Sequence, residues 1–292
     1  MSGQLKEVRN RIKSVQNTQQ ITKAMKMVSA AKLRKATDRI VQMRPYAIKL
    51  SEMMSNIASD SGVNIAMAQE REIKNVLLVV VTSDRGLAGG FNSNTIKLAR
   101  QTIEEKYAAQ AQAGRLSIMP VGKKANDAFR RLPYKIIGDY SLMFSHLDFE
   151  HSSQAAEWLM KAFKANEYDV IEIVYAQFKN AATQLFQVER FLPVPRSAAA
   201  GQKKASVNFI FEPDQEELVN ELIPKILKTQ LFKVFLDSNA SEHGARMTAM
   251  DKASDNANEL LKTLKISYNR ARQAAITTEL TEIVSGAAAL NG

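Results

Sequence analysis

Between residues 4 and 61 this chain holds one helix breaker, Pro45, and between residues 214 and 285 only two, Pro224 and Gly244. Two such stretches at the ends of a 292-residue chain leave few folds open. In the first, apolar or small residues recur every third or fourth position: Leu5, Val8, Ile12, Val15, Thr18, Ile21, Met25 and Val28. That is the period of one helical stripe. It continues less cleanly through Ala36, Ile40, Met43, Ala47, Leu50, Met54 and Ile57, with a kink expected near Pro45. A second stripe takes in Leu222, Ile226, Phe232, Phe235, Leu236, Met247, Met250, Ala257, Leu260, Leu261, Leu264, Ala271, Ala275 and Ile283, with Gly286 as the expected stop. Neither helix can bury its stripe alone, so each is expected to partner the other. The first runs into the middle of the chain and the second out of it. With their domain-side ends together they pair antiparallel, as a rod of about 90 to 100 Å at 1.5 Å per residue.

The middle of the chain has a different pattern. Residues 76–82, VLLVVVT, are β-branched and short enough for a buried strand, and 115–121 and 134–138 are further strands. Residues 169–178 and 184–194 form the two arms of a hairpin, and helices are expected over 93–113, 123–131 and 152–166. Alternation of strand and helix gives an α/β domain with a partly parallel, Rossmann-like sheet. Residues 193–206 form a linker or loop, and 207–213, VNFIFEP, a last strand. The fold class is therefore α/β: a long antiparallel coiled coil of the two terminal helices, 1–61 and 214–292, plus a central domain over 74–211.

With 45% hydrophobic and 24% charged residues the composition is that of a folded globular protein. The longest strongly apolar run is about seven residues, too short to span a membrane, so any membrane role is peripheral. There is no Cys, which excludes disulfides, thiolate metal sites and cysteine nucleophiles. His146, His151 and His243 lack metal-ligand spacing and belong at the surface or its boundary. The formal net charge of +10 is local: residues 1–50 carry 12 Lys or Arg against 2 acids, and the rest carry 28 of each.

No catalytic arrangement is supported. SDRGLAGGFN, 83–92, lies where a phosphate loop would sit, but Gly86, Gly89 and Gly90 fit neither nucleotide-binding glycine pattern, and no Lys follows at the position that would reach a β-phosphate. A tight turn after a buried strand explains it better. Asp84, Glu104, Glu105, Asp127, Asp139 and Asp148 are scattered, with no nucleophile and base to join them. The basic N-terminal helix therefore carries the functional question. Like-charge neighbours such as Lys6/Arg9, Lys23/Lys26 and Lys32/Lys35 cost roughly 0.2–0.5 kcal/mol each. Some ten buried apolar side chains at roughly 1.5–3 kcal/mol each outweigh that before chain entropy is counted. The helix can therefore be a solvated face, but the repulsion is most simply relieved by an acidic partner. A transit peptide would not continue its stripe past residue 50. A basic coiled coil binding nucleic acid is the alternative, although here the zipper is intramolecular and the charge is spread around the helix.

Three blocks carry a resemblance. IKSVQNTQQITKAMKMVSAAKLRKA at 12–36, TSDRGLAGGFN at 82–92 and YNRARQAAITTELTEIVSGAAAL at 268–290 resemble, in order and separation, the gamma-subunit family of F-type ATP synthases. The resemblance covers essentially the whole chain. It implies a central rotor shaft inside a hexamer of alternating alpha and beta subunits, with a foot on the membrane ring of c subunits beside epsilon.

The resemblance also implies roles for individual residues. Met25 matches the shaft position facing the acidic loop of beta, and Lys23 and Lys26 suit that loop by charge. Arg272, Gln273, Thr277 and Glu279 match a polar catch on beta, and Arg246 a further coupling position on the shaft. The apolar tip EIVSGAAAL suits a bearing, where non-directional contacts favour no one angle. Tyr46, Phe209, Phe211 and Glu212 match positions that meet the c ring. The family has no catalytic, cofactor or metal residue in this subunit, and zero Cys excludes the chloroplast thiol switch. With Met1 present and no leader read, a single-copy subunit on the cytoplasmic face of a bacterial inner membrane is expected.

Overall fold

The computed structural model describes residues 2–59, 66–194 and 215–290. The element order is α1 (Ser2–Ser59), a 3-10 turn (Ala66–Ala68), β1 (Val76–Val81), α2 (Phe91–Lys106), α3 (Ala108–Gln112), β2 (Leu116–Val121), α4 (Lys123–Phe129), β3 (Lys135–Ile136), a second 3-10 turn (Met143–His146), α5 (Phe149–Lys164), β4 (Val170–Phe178), β5 (Gln184–Leu192) and α6 (Gln215–Leu290). The loop expected at 195–206 and the strand expected at 207–213 lie outside the described residues. Two compact units are present: Met1–Ser29 with Met247–Gly292, and Ala30–Arg246.

In the larger unit the five strands lie in the order β3-β2-β1-β4-β5. β1, β2, β3 and β4 are parallel, with Val76 opposite Leu116 on one side and Val170 on the other, while β5 pairs antiparallel to β4. Parallel neighbours need long crossovers, and the expected helices supply them. The antiparallel pair needs only a turn: the side chain of Asn180 accepts from the N–H groups of Ala182 (3.0 Å) and Thr183 (2.7 Å). Every residue of β1 is buried because the strand is covered on both faces. Leu77, Val79 and Val81 face α5 and the early part of α6, through Leu159, Phe163, Leu227 and Phe235. Val76, Leu78 and Val80 face α2 and α4, through Ala99, Ile103, Ala125 and Phe129. At roughly 1.5–3 kcal/mol per buried aliphatic side chain, these two layers dominate the unit's stability. Gly122 is required where β2 hands over to α4, since its φ is +89° and a Cβ would lie 2.3 Å from the Thr82 carbonyl oxygen. In the same unit α1 packs Ala36 and Ile40 against Leu236 and Ala240 of α6.

The smaller unit is an antiparallel helix pair. Arg9 donates to the Tyr268 hydroxyl at 3.0 Å, Gln19 to Asn258, Thr22 and Ser254 share a 2.8 Å bond, and Lys26 pairs with Asp251. In each pair the two residue numbers add to 276 or 277, so one register holds throughout.

Pro45 and Pro224 both lie inside their helices. Two helical readings need correction. The first is the end of α6, which runs through Gly286 to Leu290 rather than stopping there. The buried face of α1 is not the expected stripe at its middle: Thr22 and Ser29 are buried, whereas Ile21 is 60% and Val28 57% exposed. At this level the small hydroxylated residues face the partner helix, and Ile21 and Val28 turn outward. On α6, Ile283 is 67% exposed rather than buried.

Candidate interaction surfaces

The seam of the helix pair is closed by its own polar groups. The Thr22 hydroxyl also reaches the Gln19 carbonyl at 3.0 Å, Ser29 donates to the Met25 carbonyl at 2.7 Å, and Ser254 to the Met250 carbonyl at 2.9 Å. Arg9 lies over the Tyr268 ring, 5.8 Å from its centroid, and its hydrogen bond to that hydroxyl raises the guanidinium pKa. Outside the seam, α1 presents Ile21, Met27 and Val28 together with Lys23. Lys23 makes no ion pair among the described residues, whereas Lys26 is half exposed and shares its charge with Asp251. Such a pair contributes about 0–1 kcal/mol and opens readily to a second carboxylate. Met25 is half-buried between these two lysines.

On α6 the four catch residues expected from the sequence, Arg272, Gln273, Thr277 and Glu279, are all exposed, and the Thr277 hydroxyl donates to the Gln273 carbonyl at 3.0 Å. Among and beyond them Ile276, Leu280, Ile283 and Val284 recur at helical spacing and are exposed.

Arg246 is placed differently from the other candidates. It is 8% exposed, and its guanidinium meets Glu242 at 2.5 Å, the Arg85 carbonyl at 3.3 Å and the Gly86 carbonyl. The SDRGLAGGFN segment is thus a tight turn tied to α6. Leu87 and Gly89 take left-handed φ values of 65° and 57°, and the Asn92 side chain accepts from the Ser83 N–H at 3.0 Å. Asp84 in this turn is raised above the usual carboxylate range, first by burial. Tyr46 is exposed on α1, while Phe209, Phe211 and Glu212 lie outside the described residues.

Residues that sequence reasoning did not single out are the seam partners, Thr22, Asp251, Ser254, Asn258 and Tyr268, and the Arg246 partner Glu242. Only Glu242 left a signal, a Glu four residues before an Arg on one helix.

These features have close relatives. The family model described as ATP synthase matches residues 4–290. The ATP synthase gamma chain of Cytophaga hutchinsonii is 54% identical, over 98% of this chain and 99% of that one. The chain belongs to the ATP synthase gamma chain family. The gamma chain of Flavobacterium johnsoniae is 53% identical over 99% of each. Among solved structures, the central stalk and c-ring structure of the Tetrahymena thermophila mitochondrial ATP synthase aligns with a TM-score of 0.56 at 25% identity, covering 80% of this chain and 99% of that one. A rotor chain of the Euglena gracilis mitochondrial enzyme has the same fold, with a TM-score of 0.66 at 21% identity over 94% and 100%. Among the described residues no helix is long and apolar enough to cross a membrane.

Proposed function

We propose that this chain is the rotor shaft of a proton-driven ATP synthase, coupling rotation of a membrane ring to ATP synthesis or hydrolysis without catalytic residues of its own. In this reading helices 1–61 and 214–292 are the shaft and 74–211 the foot. Alpha and beta subunits surround the shaft, and the foot meets epsilon and the c ring, on the cytoplasmic face of a bacterial inner membrane, one copy per complex. Proton flow, worth about 2.3 kcal/mol per charge per 100 mV, turns the ring. The shaft then offers each beta subunit a different face, which is the differential contact that coupling requires.

One observation carries the reading: a helix pair whose seam is satisfied internally while its outer surface keeps apolar side chains and a Lys23 with no ion pair among the described residues. Such a surface suits partners that grip without locking. Lys23, Met25 and Lys26 then face acidic levers of beta, Arg272, Gln273, Thr277 and Glu279 form the polar catch, and Leu280, Ile283 and Val284 turn in an apolar bearing. Arg246 acts in coupling by tying the 83–92 turn to the shaft helix, and Tyr46, Phe209, Phe211 and Glu212 serve the ring contact. The family assignment favours this over the nucleic-acid reading, for which steeply salt-dependent binding of duplex DNA would be the sign.

The test is charge reversal at Lys23, Lys26, Lys32 and Lys35 in the assembled complex. Proton-coupled ATP synthesis is expected to fall by more than the folded fraction of the subunit does, and intact coupled synthesis would sink the electrostatic lever.

A further inference from the structure

Within the Ala30–Arg246 unit, α1, the segment 144–148 and α6 enclose a cleft of about 400 Å³. That volume is at the small end of the range for small-molecule sites. From α1, Lys32, Lys35 and Arg39 project along one helical face, and none of them makes an ion pair among the described residues. The only acid among the described lining residues, Asp148, is already engaged. It caps α5 by accepting from the His151 N–H and meets the His151 ring, both at 2.8 Å, and these bonds hold it below the usual carboxylate range.

The facing wall of α6 supplies Asn239 and His243. The Nδ1 atom of His243 is buried and has no hydrogen-bond partner among the described residues. Burial pushes this imidazole below its ordinary value, Glu242 opposes that, and Lys32 and Arg246 reinforce it. At neutral pH it is therefore an uncharged ring with an unused nitrogen. Ala36, Leu236, Phe144 and Leu147 give the cleft an apolar floor and side.

We propose that this cleft binds a small phosphorylated anion, with its phosphoryl oxygens on Lys32, Lys35 and Arg39 and any planar body against Phe144 and Leu147. Three cations with one forked guanidinium match a dianion with three terminal oxygens better than they match a single carboxylate. The same chemistry is offered by free inorganic phosphate and by a nucleoside diphosphate. The inference does not rest on the rotor reading, since the cleft is formed by this chain alone.

The experiment is calorimetric titration of the isolated full chain at low ionic strength with inorganic phosphate and, separately, with magnesium-free ADP, alongside NMR titration of the His243 ring. Saturable binding is expected. Lys35→Ala and Arg39→Ala should each weaken it about tenfold, as the loss of one charge-assisted contact does. Bound anion should raise the His243 pKa, because a nearby negative charge favours imidazolium. Equal affinities support free phosphate as the ligand, whereas tighter ADP binding that Phe144→Ala weakens supports the nucleotide. Absence of saturable binding for both probes overturns the proposal, as does binding that Arg39→Ala leaves unchanged or a His243 titration that the anion does not move. All three substitutions replace half-buried or exposed side chains, and circular dichroism confirms that each variant is folded.

Discussion

Arg246→Ala tests whether the tie between α6 and the 83–92 turn holds the larger unit together. The wild-type guanidinium and the Glu242 carboxylate belong to residues that are 8% and 7% exposed, and they meet at 2.5 Å. The same guanidinium satisfies the carbonyl oxygens of Arg85 and Gly86. The substitution therefore removes one buried ion pair and two charge-assisted hydrogen bonds, and it leaves Glu242 alone in the interior. Breaking a buried pair from one side costs about 3–5 kcal/mol, most of it the stranded charge rather than the worth of the pair. Arg246→Met with Glu242→Leu strands no charge and loses only the donors to two carbonyls, so about 1–2 kcal/mol is expected.

Urea unfolding followed through Trp158, the chain's single tryptophan, reads this unit directly, since α5 packs in the same core. Hydrogen exchange gives the local readout. Residues 85–90 should lose protection in the single variant, because Leu87 holds a left-handed backbone conformation that its surroundings must enforce. A single-variant loss below about 1 kcal/mol, or a double variant as unstable as the single, would refute the stranded-charge account.

Burial sets two further expectations. Asp237 on α6 has its carboxyl pushed up to about 6, first by burial, with Lys233 and Arg44 opposing. Its unfolded value is about 3.9, so the folded state holds the proton more tightly and this group's contribution to stability falls as pH rises from about 4 through 6. Asp237→Asn should therefore gain up to about 3 kcal/mol at pH 8 in denaturant titrations, and an unaltered slope between pH 4 and 6 would contradict the assignment. Leu261→Ala on the seam of the helix pair should cost about 2–3 kcal/mol by thermal melting, whereas Ile283→Ala should stay within about 0.5 kcal/mol. Equal costs would mean that the antiparallel register is wrong.

The sheet was legible because its signals are local. VLLVVV reads as a doubly covered strand and is one, and the parallel crossovers and the hairpin follow from the spacing of strand and helix patterns. The faces of the terminal helices were less legible, because period analysis ranks residues by hydrophobicity, whereas close packing of two helices selects for size. Thr22, Ser29 and Ser254 are small, and their hydroxyls find acceptors across the seam or one turn back, so they can be buried at little cost. Arg246 could be placed on the shaft helix but not in the interior, since an i, i+4 Glu–Arg pair has the same spacing on an exposed face.

The misread stripe has its own physical content. Ile21 and Val28 on α1 and Ile276, Leu280, Ile283 and Val284 on α6 keep helical spacing, yet the pair leaves them in solvent, as it does Met27. A chain that only had to close a two-helix seam would gain nothing from apolar residues at these positions, and patches of this kind mark interaction surfaces. The apolar pattern in these helices therefore answers to two partners at once: the opposite helix, which takes a seam where Thr22, Ser29 and Ser254 are buried along with Ala257, Leu261 and Leu264, and the enclosing subunits proposed above, which take the outward apolar side chains. Reading only the first partner assigns Ile21, Val28 and Ile283 to the wrong side. Reading both accounts for why a basic helix that buries Thr22 and Ser29 keeps Ile21 and Val28 on its exterior.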